Sequence, residues 1–149
     1  MNLNVKLKLS RGMEAPTYAT DGSAAVDLRA ALDEGTEVII APGERALIPT
    51  GISISPETRD VVAVIAGRSG LGIKNGVTLA NGIGVIDSDY RGEFMVALHN
   101  HTDFPVTLEG GERIAQLVIT PCITADFELV SELSDTARGE GGFGSTGKK

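Results

Sequence analysis

Asp87 stands in the stretch Asn81-Gly82-Ile83-Gly84-Val85-Ile86-Asp87-Ser88-Asp89-Tyr90-Arg91-Gly92-Glu93. The apolar pair before it can hold a carboxylate near a dry pocket, where it would take a proton from water as a general base. Gly82 and Gly84 suit a tight hairpin whose main chain is open to a ligand. Tyr90 offers a flat face for a sugar or base. The same residues also fit a charged turn, because Asp-Ser-Asp is ordinary turn chemistry.

Three more stretches carry polar groups that a plain apolar strand does not need. In Ser23-Ala24-Ala25-Val26-Asp27-Leu28, Asp27 interrupts a small, apolar run, either as a turn former or as a partly buried functional carboxylate. Gly67-Arg68-Ser69-Gly70-Leu71 follows the apolar run 61–66. Arg68 supplies charge, Ser69 a hydroxyl and Gly70 close backbone approach, which makes either a phosphate cradle or an exposed turn. In Gly111-Glu112-Arg113-Ile114-Ala115-Gln116-Leu117, Gln116 is an outward-facing strand residue or a ligand contact. His99 and His101 form an H-x-H pair without a third matched ligand and read as strand-end surface residues.

The tail reads Arg138-Gly139-Glu140-Gly141-Gly142-Phe143-Gly144-Ser145-Thr146-Gly147. Residues 139–144 fit G-x-G-x-x-G, yet no strand precedes them and no helix can follow. Residues 142–149 nearly fit a P-loop, but Lys149 replaces the magnesium-binding hydroxyl. Glycine N–H groups, two hydroxyls and a guanidinium still suit phosphate, while a solvated tail is the simpler alternative.

The elements that position these groups are strands. Leu3, Val5, Leu7 and Leu9 alternate with polar residues, the period of a half-buried strand. Short β-branched runs at 38–40, 45–48, 61–65, 94–98, 106–108, 114–120 and 127–130 predict further strands, separated by Pro- and Gly-containing turns. Helical periodicity is confined to one turn at most, within 71–78. The expected fold is all-β, an antiparallel sandwich or barrel of jelly-roll type. A β domain over residues 1–133 is expected, followed by a flexible glycine-rich arm over 134–149.

With 13 Lys and Arg against 20 Asp and Glu, the net charge is -7, which argues against a nucleic-acid polymer as ligand. It leaves room for a single nucleotide bridged by a divalent cation. Cys122 is the one cysteine, so no intramolecular disulfide forms. No apolar run has the length of a membrane span or a signal peptide, and a cytoplasmic location is expected.

Taken in order and spacing, the five stretches 24–28, 68–71, 81–92, 111–116 and 138–147 resemble the five motifs of the trimeric deoxyuridine triphosphate nucleotidohydrolases, the dUTPases, of bacterial type. The resemblance covers essentially the whole chain. It implies a homotrimer with sites built from all three chains, hydrolysing dUTP to dUMP and pyrophosphate with Mg2+. That reaction limits uracil incorporation into DNA and supplies dUMP for thymidylate synthesis. Asp87 is then expected to activate the water that attacks the α-phosphorus. Tyr90 would pack on the deoxyribose, and Asn81, Gly84 and Val85 would read uracil. Arg68, Ser69, Gly70 and Gln116 would hold phosphate, and Asp27 would support the metal through water. Phe143 would stack on uracil in a closing lid, with Arg138, Gly144, Ser145 and Thr146 at the terminal phosphate. Two positions depart from the family pattern: Gly67 stands where Pro is common, and Ala25 where Gly is common. A dCTP deaminase, a nucleotide-sensing module and a structural trimer are the alternatives. Intact Asp87 and Tyr90 favour the hydrolase.

Overall fold

The computed structural model describes residues 2–142. Eleven strands and one short helix are found among them: β1 (Val5–Leu9), β2 (Val26–Arg29), β3 (Glu37–Ile40), β4 (Arg45–Pro49), β5 (Ile52–Pro56), β6 (Val61–Gly67), α1 (Ser69–Asn75), β7 (Val77–Leu79), β8 (Gly84–Ile86), β9 (Met95–Asn100), β10 (Val106–Glu109) and β11 (Arg113–Pro121). All pairings are antiparallel. The strands form sheets ordered β2-β11-β6-β8 and β4-β9-β7, with the pairs β1-β5 and β3-β10 beside them. The result is the expected all-β sandwich.

Alternation explains the packing. In β9, Val96, Leu98 and Asn100 are buried while Met95, Ala97 and His99 face outward. The inward residues join one core that includes Leu28, Ile40, Ile48, Ile65, Phe94 and Leu108. The buried polar side chain of Asn100 is fully paired. Its Nδ2 donates to the carbonyls of Ile40 and Phe104, and its Oδ1 accepts from the Thr102 N–H and hydroxyl.

Two expectations are corrected. The segment after β6 forms a seven-residue helix, Ser69–Asn75, rather than one turn at most, and it stops at Gly76 with φ 64°. The strand expected over 127–130 is absent: the last strand ends at Pro121, and 122–142 have no regular secondary structure. Phe127 and Leu129 are 95% and 100% exposed, so this apolar stretch has neither a ladder partner nor a core to cover within its own chain.

Candidate active site

Register gathers three of the sequence-predicted residues. Strand β11 lies between β2 and β6 and pairs Gln116 with Asp27 on one side and with Ala66 on the other. Strand β6 ends at Gly67, opposite Ala115, and the chain passes directly into Arg68 and Ser69. Asp27, Gln116 and Arg68 therefore meet at one end of the sheet. Val26, Leu28, Ala115 and Leu117 are buried, so Asp27 and Gln116 take the opposite face, and both are half-buried.

Asp27 is held by two guanidinium groups. Arg68 Nε lies 2.8 Å from its Oδ1 and Arg113 Nη1 lies 3.3 Å from its Oδ2. The Arg68 approach is close but off the hydrogen-bond direction, so both buried atoms are charge-paired without a directed bond. Arg68 Nη1 donates to the Arg113 carbonyl at 3.1 Å, and Arg29 Nη1 to the Gly111 carbonyl at 2.8 Å. A cavity of about 550 Å³ opens here, lined by Met13, Asp27, Arg29 and Arg113 among others. A neighbouring hollow of about 560 Å³ takes in Arg68, Gly70 and Lys74. The second hollow is lined by Arg29, Arg68, Lys74 and Arg113 against Glu112, so it is locally cationic in a chain of net charge -7.

The stretch around Asp87 lies elsewhere. Strand β8 is the opposite edge of the same sheet and pairs Gly84 with Ile65 and Ile86 with Ala63. A Cβ on Gly84 would come within 3.0 Å of the Ile65 Cβ, so glycine lets this short strand close on β6. Asp87 emerges beyond Ile86, at the end of β6 away from Arg68. About six residues of strand separate the two levels, roughly 20 Å at ~3.3 Å per residue. A distinct hollow of about 230 Å³ is lined by Val85, Asp87, Tyr90, Glu93 and Phe94. Asp87 is exposed in the single chain, so the dry pocket expected around it is not formed by this chain alone.

Tyr90 is well fixed. Its N–H donates to the Asp87 carbonyl at 3.1 Å, and its hydroxyl donates to the Glu93 carbonyl at 3.2 Å. Its ring stacks near Phe94, with centroids 6.4 Å apart and 18° between planes. Gly92 lies beneath it, and a Cβ there would overlap the hydroxyl and Cζ of Tyr90. Asn81 is exposed in the turn before β8, and its carbonyl accepts from the Ile83 N–H at 2.9 Å. Arg138 is exposed and its Nε donates to the Gly141 carbonyl at 2.9 Å, so it stands at neither hollow. Phe143, Gly144, Ser145 and Thr146 lie outside the described residues.

The donor set bears on the metal. No group of three or more His, Cys, Asp and Glu side chains gathers among the described residues. Such a surface fits a cation held mainly by substrate oxygens and not by a protein cage. Asp27 Oδ1 is buried against Arg68, so the oxygen with capacity left for a metal-bound water is Oδ2, which accepts one bond from Arg113 Nη1.

Arg29 and Arg113 were not singled out by the sequence reading. They are Cα partners across β2 and β11 beside a bulge between Arg113 and Ala115. Strand pairing makes them neighbours, and pairing is not written in either stretch alone.

The chain is similar to known proteins along almost its whole length. The dUTPase family model matches residues 11–147. The deoxyuridine 5'-triphosphate nucleotidohydrolase of Histophilus somni (strain 2336) is 56% identical over 134 residues, 90% of this chain and 87% of the relative. That of Haemophilus ducreyi is 49% identical over 142 residues, 95% and 92% of the two chains. Among solved structures, a variant of the Staphylococcus bacteriophage 80alpha dUTPase with dUpNHpp superposes with a TM-score of 0.86 at 28% identity, covering 97% of this chain and 98% of that one. The chain belongs to the dUTPase family.

Proposed function

We propose that this chain works as a homotrimer whose dUTPase sites are each completed by residues from neighbouring subunits. The reaction is hydrolysis of dUTP to dUMP and pyrophosphate. The observation that carries the shared-site reading is the separation within one chain. Asp27, Arg68 and Gln116 sit at one end of the sheet, and Asp87 and Tyr90 lie off its far edge. In-line attack requires base and phosphate donors on one substrate at the same time. Cyclic symmetry lets each cationic hollow meet a neighbour's Asp87 loop. The exposed apolar residues after Pro121 support such an assembly, because they need a neighbour to cover them.

In this reading Asp87 takes a proton from water as the water oxygen attacks the α-phosphorus, and pyrophosphate leaves. Arg68 and Gly70, which line the cationic hollow, hold phosphate oxygens together with the adjoining Ser69 and Gln116. The hairpin main chain at Gly84 and Val85, with Asn81, reads the uracil edge, and Tyr90 packs on the deoxyribose where a 2′-hydroxyl would clash. Magnesium is the cofactor, and when bound to the triphosphate it offsets charge on the phosphate oxygens. Asp27 reaches it through water. Residues 134–149 form the arm that closes over the nucleotide, with Arg138, Gly144, Ser145 and Thr146 at the terminal phosphate and Phe143 on the base. Residues 1–133 form the β domain. No helix among the described residues is long and apolar enough to cross a membrane, and the cytoplasm, where nucleoside triphosphates and magnesium occur together, is the proposed setting.

Mixed trimers test this. Asp87→Asn and Arg68→Ala chains, each inactive alone, are unfolded together and refolded as a mixture. Shared sites predict recovered dUTP turnover, because some sites draw Asp87 and Arg68 from different chains. Sites complete within one chain predict none. Pyrophosphate release from dUTP, without ammonia and not from dCTP, dTTP or UTP, checks the reaction itself.

A further inference from the structure

Glu93 is the last residue of the stretch 81–93 and has no part in the proposed chemistry. Its side chain is 24% exposed and joins three segments. Oε1 accepts from the Gly51 N–H at 2.7 Å and from Arg11 Nε at 2.9 Å, and Oε2 lies 3.3 Å from the same nitrogen. Its own carbonyl accepts from the Tyr90 hydroxyl.

The anchor on the other side is rigid. Gly51 has φ +69°, and a Cβ there would come within 2.6 Å of Met13 Cγ and the Ser10 carbonyl. The next pairings lock Phe94 to the same turn: its N–H donates to the Ile52 carbonyl at 2.7 Å, and its carbonyl accepts the Thr50 hydroxyl at 2.7 Å. Arg11 adopts φ 56°, a left-handed conformation that non-glycine residues take when surrounding contacts hold them there.

We propose that Glu93 is a positioning residue for Tyr90. Its carboxylate pins the main chain after Gly92 to the Gly51 turn and to Arg11. The carbonyl that receives the Tyr90 hydroxyl is thereby fixed, and with it the height of the ring over the sugar site. The inference rests on the reading that Tyr90 excludes a 2′-hydroxyl. It extends that reading by naming what holds Tyr90 still.

The test compares dUTP with UTP on the assembled protein with magnesium. Glu93→Ala is expected to raise the UTP-to-dUTP ratio of kcat/KM by about tenfold, the scale of one charge-assisted bond. Glu93→Gln retains an acceptor for the Gly51 N–H and should recover most of the wild-type ratio. On a Tyr90→Phe background, which already lacks the hydroxyl, Glu93→Ala should change the ratio little further. Full additivity on that background would overturn the inference, as would an unchanged ratio in Glu93→Ala. So would an equal loss for both nucleotides that tracks a fall in Tm. Should Glu93→Ala fold poorly, Glu93→Gln against Arg11→Ala gives the same comparison, with the ratio expected to shift in Arg11→Ala, and an unchanged ratio in both overturns the proposal. Tyr90→Ala separates the two levels. If it leaves the ratio unchanged, the sugar-packing reading itself fails. If it shifts the ratio and Glu93→Ala does not, only the role of Glu93 falls.

Discussion

Arg68 Nε sits 2.8 Å from Asp27 Oδ1, and the two side chains are each about three-quarters buried. The pair brings the end of β6 to the middle of β2 and aims a guanidinium into the hollow assigned to phosphate. An asparagine in its place leaves Arg68 without its counter-charge and offers a metal-bound water a neutral amide oxygen instead of a carboxylate. Asp27→Asn should therefore lower kcat/KM for dUTP by about ten- to a hundredfold, as loss of a charge-assisted contact does. The magnesium concentration for half-maximal rate should rise as well. A fall in rate with an unchanged magnesium titration would limit Asp27 to orienting Arg68.

Gly92 gives a steric test of the proposed chemistry at the Tyr90 hollow. The overlap of a new Cβ with the Tyr90 hydroxyl and ring forces the ring and the main chain at residue 92 apart. Gly92→Ala should thus weaken discrimination against UTP by about tenfold or more, since a shifted ring opens the space it had filled. Steady-state kinetics with both nucleotides reads it directly, and retained discrimination would show that Tyr90 is not the residue that fills that space.

These relationships also show what a sequence makes legible. Strands β1, β6 and β11 declare themselves, because a strand face needs only residues two apart, although Leu7 and Leu9 are exposed and the half-buried face expected of β1 is not formed within this chain. Strands β2 and β8 are four and three residues long, and their polar Asp27 and small Gly84 hide the pattern. The five chemical stretches are visible from residue type and order. Their placement at separate ends of one sheet is not, because it depends on which strands pair and in what register. The stretch 127–130 has the composition of a strand, but composition does not supply a partner. The same holds for Glu93, whose contacts lie 42 and 82 residues away in the chain.

Asn100 offers a stability test away from both hollows. Its amide satisfies two carbonyls, its oxygen takes two donors from Thr102, and the Asn100 side chain itself is fully buried. Asn100→Ala strands those groups and leaves a small void, at a cost of about 2 to 4 kcal/mol. Denaturant unfolding should report that loss, while KM for dUTP stays near wild type in the protein that remains folded. An unchanged midpoint would mean that water or a shifted turn around Thr102 replaces the amide.

Two truncations separate the parts played by the chain after β11. Ile123, Phe127, Leu129 and Leu133 are each at least 88% exposed within their own chain. Burying four such side chains against a neighbour would contribute roughly 6 to 12 kcal/mol per subunit before ordering costs. No comparable apolar run exists beyond Ala137, where glycine and polar residues dominate. Ending the chain after Pro121 should therefore dissolve the assembly and abolish turnover together. Ending it after Ala137 should leave the trimer mass unchanged in light scattering. Turnover should then fall by about a hundredfold or more, as expected when a closing segment that binds phosphate and excludes water is lost. A chain ending at Ala137 with full activity would remove the arm from the mechanism. A chain ending at Pro121 that stays trimeric would place the subunit contacts elsewhere, on the outward faces of the sheets.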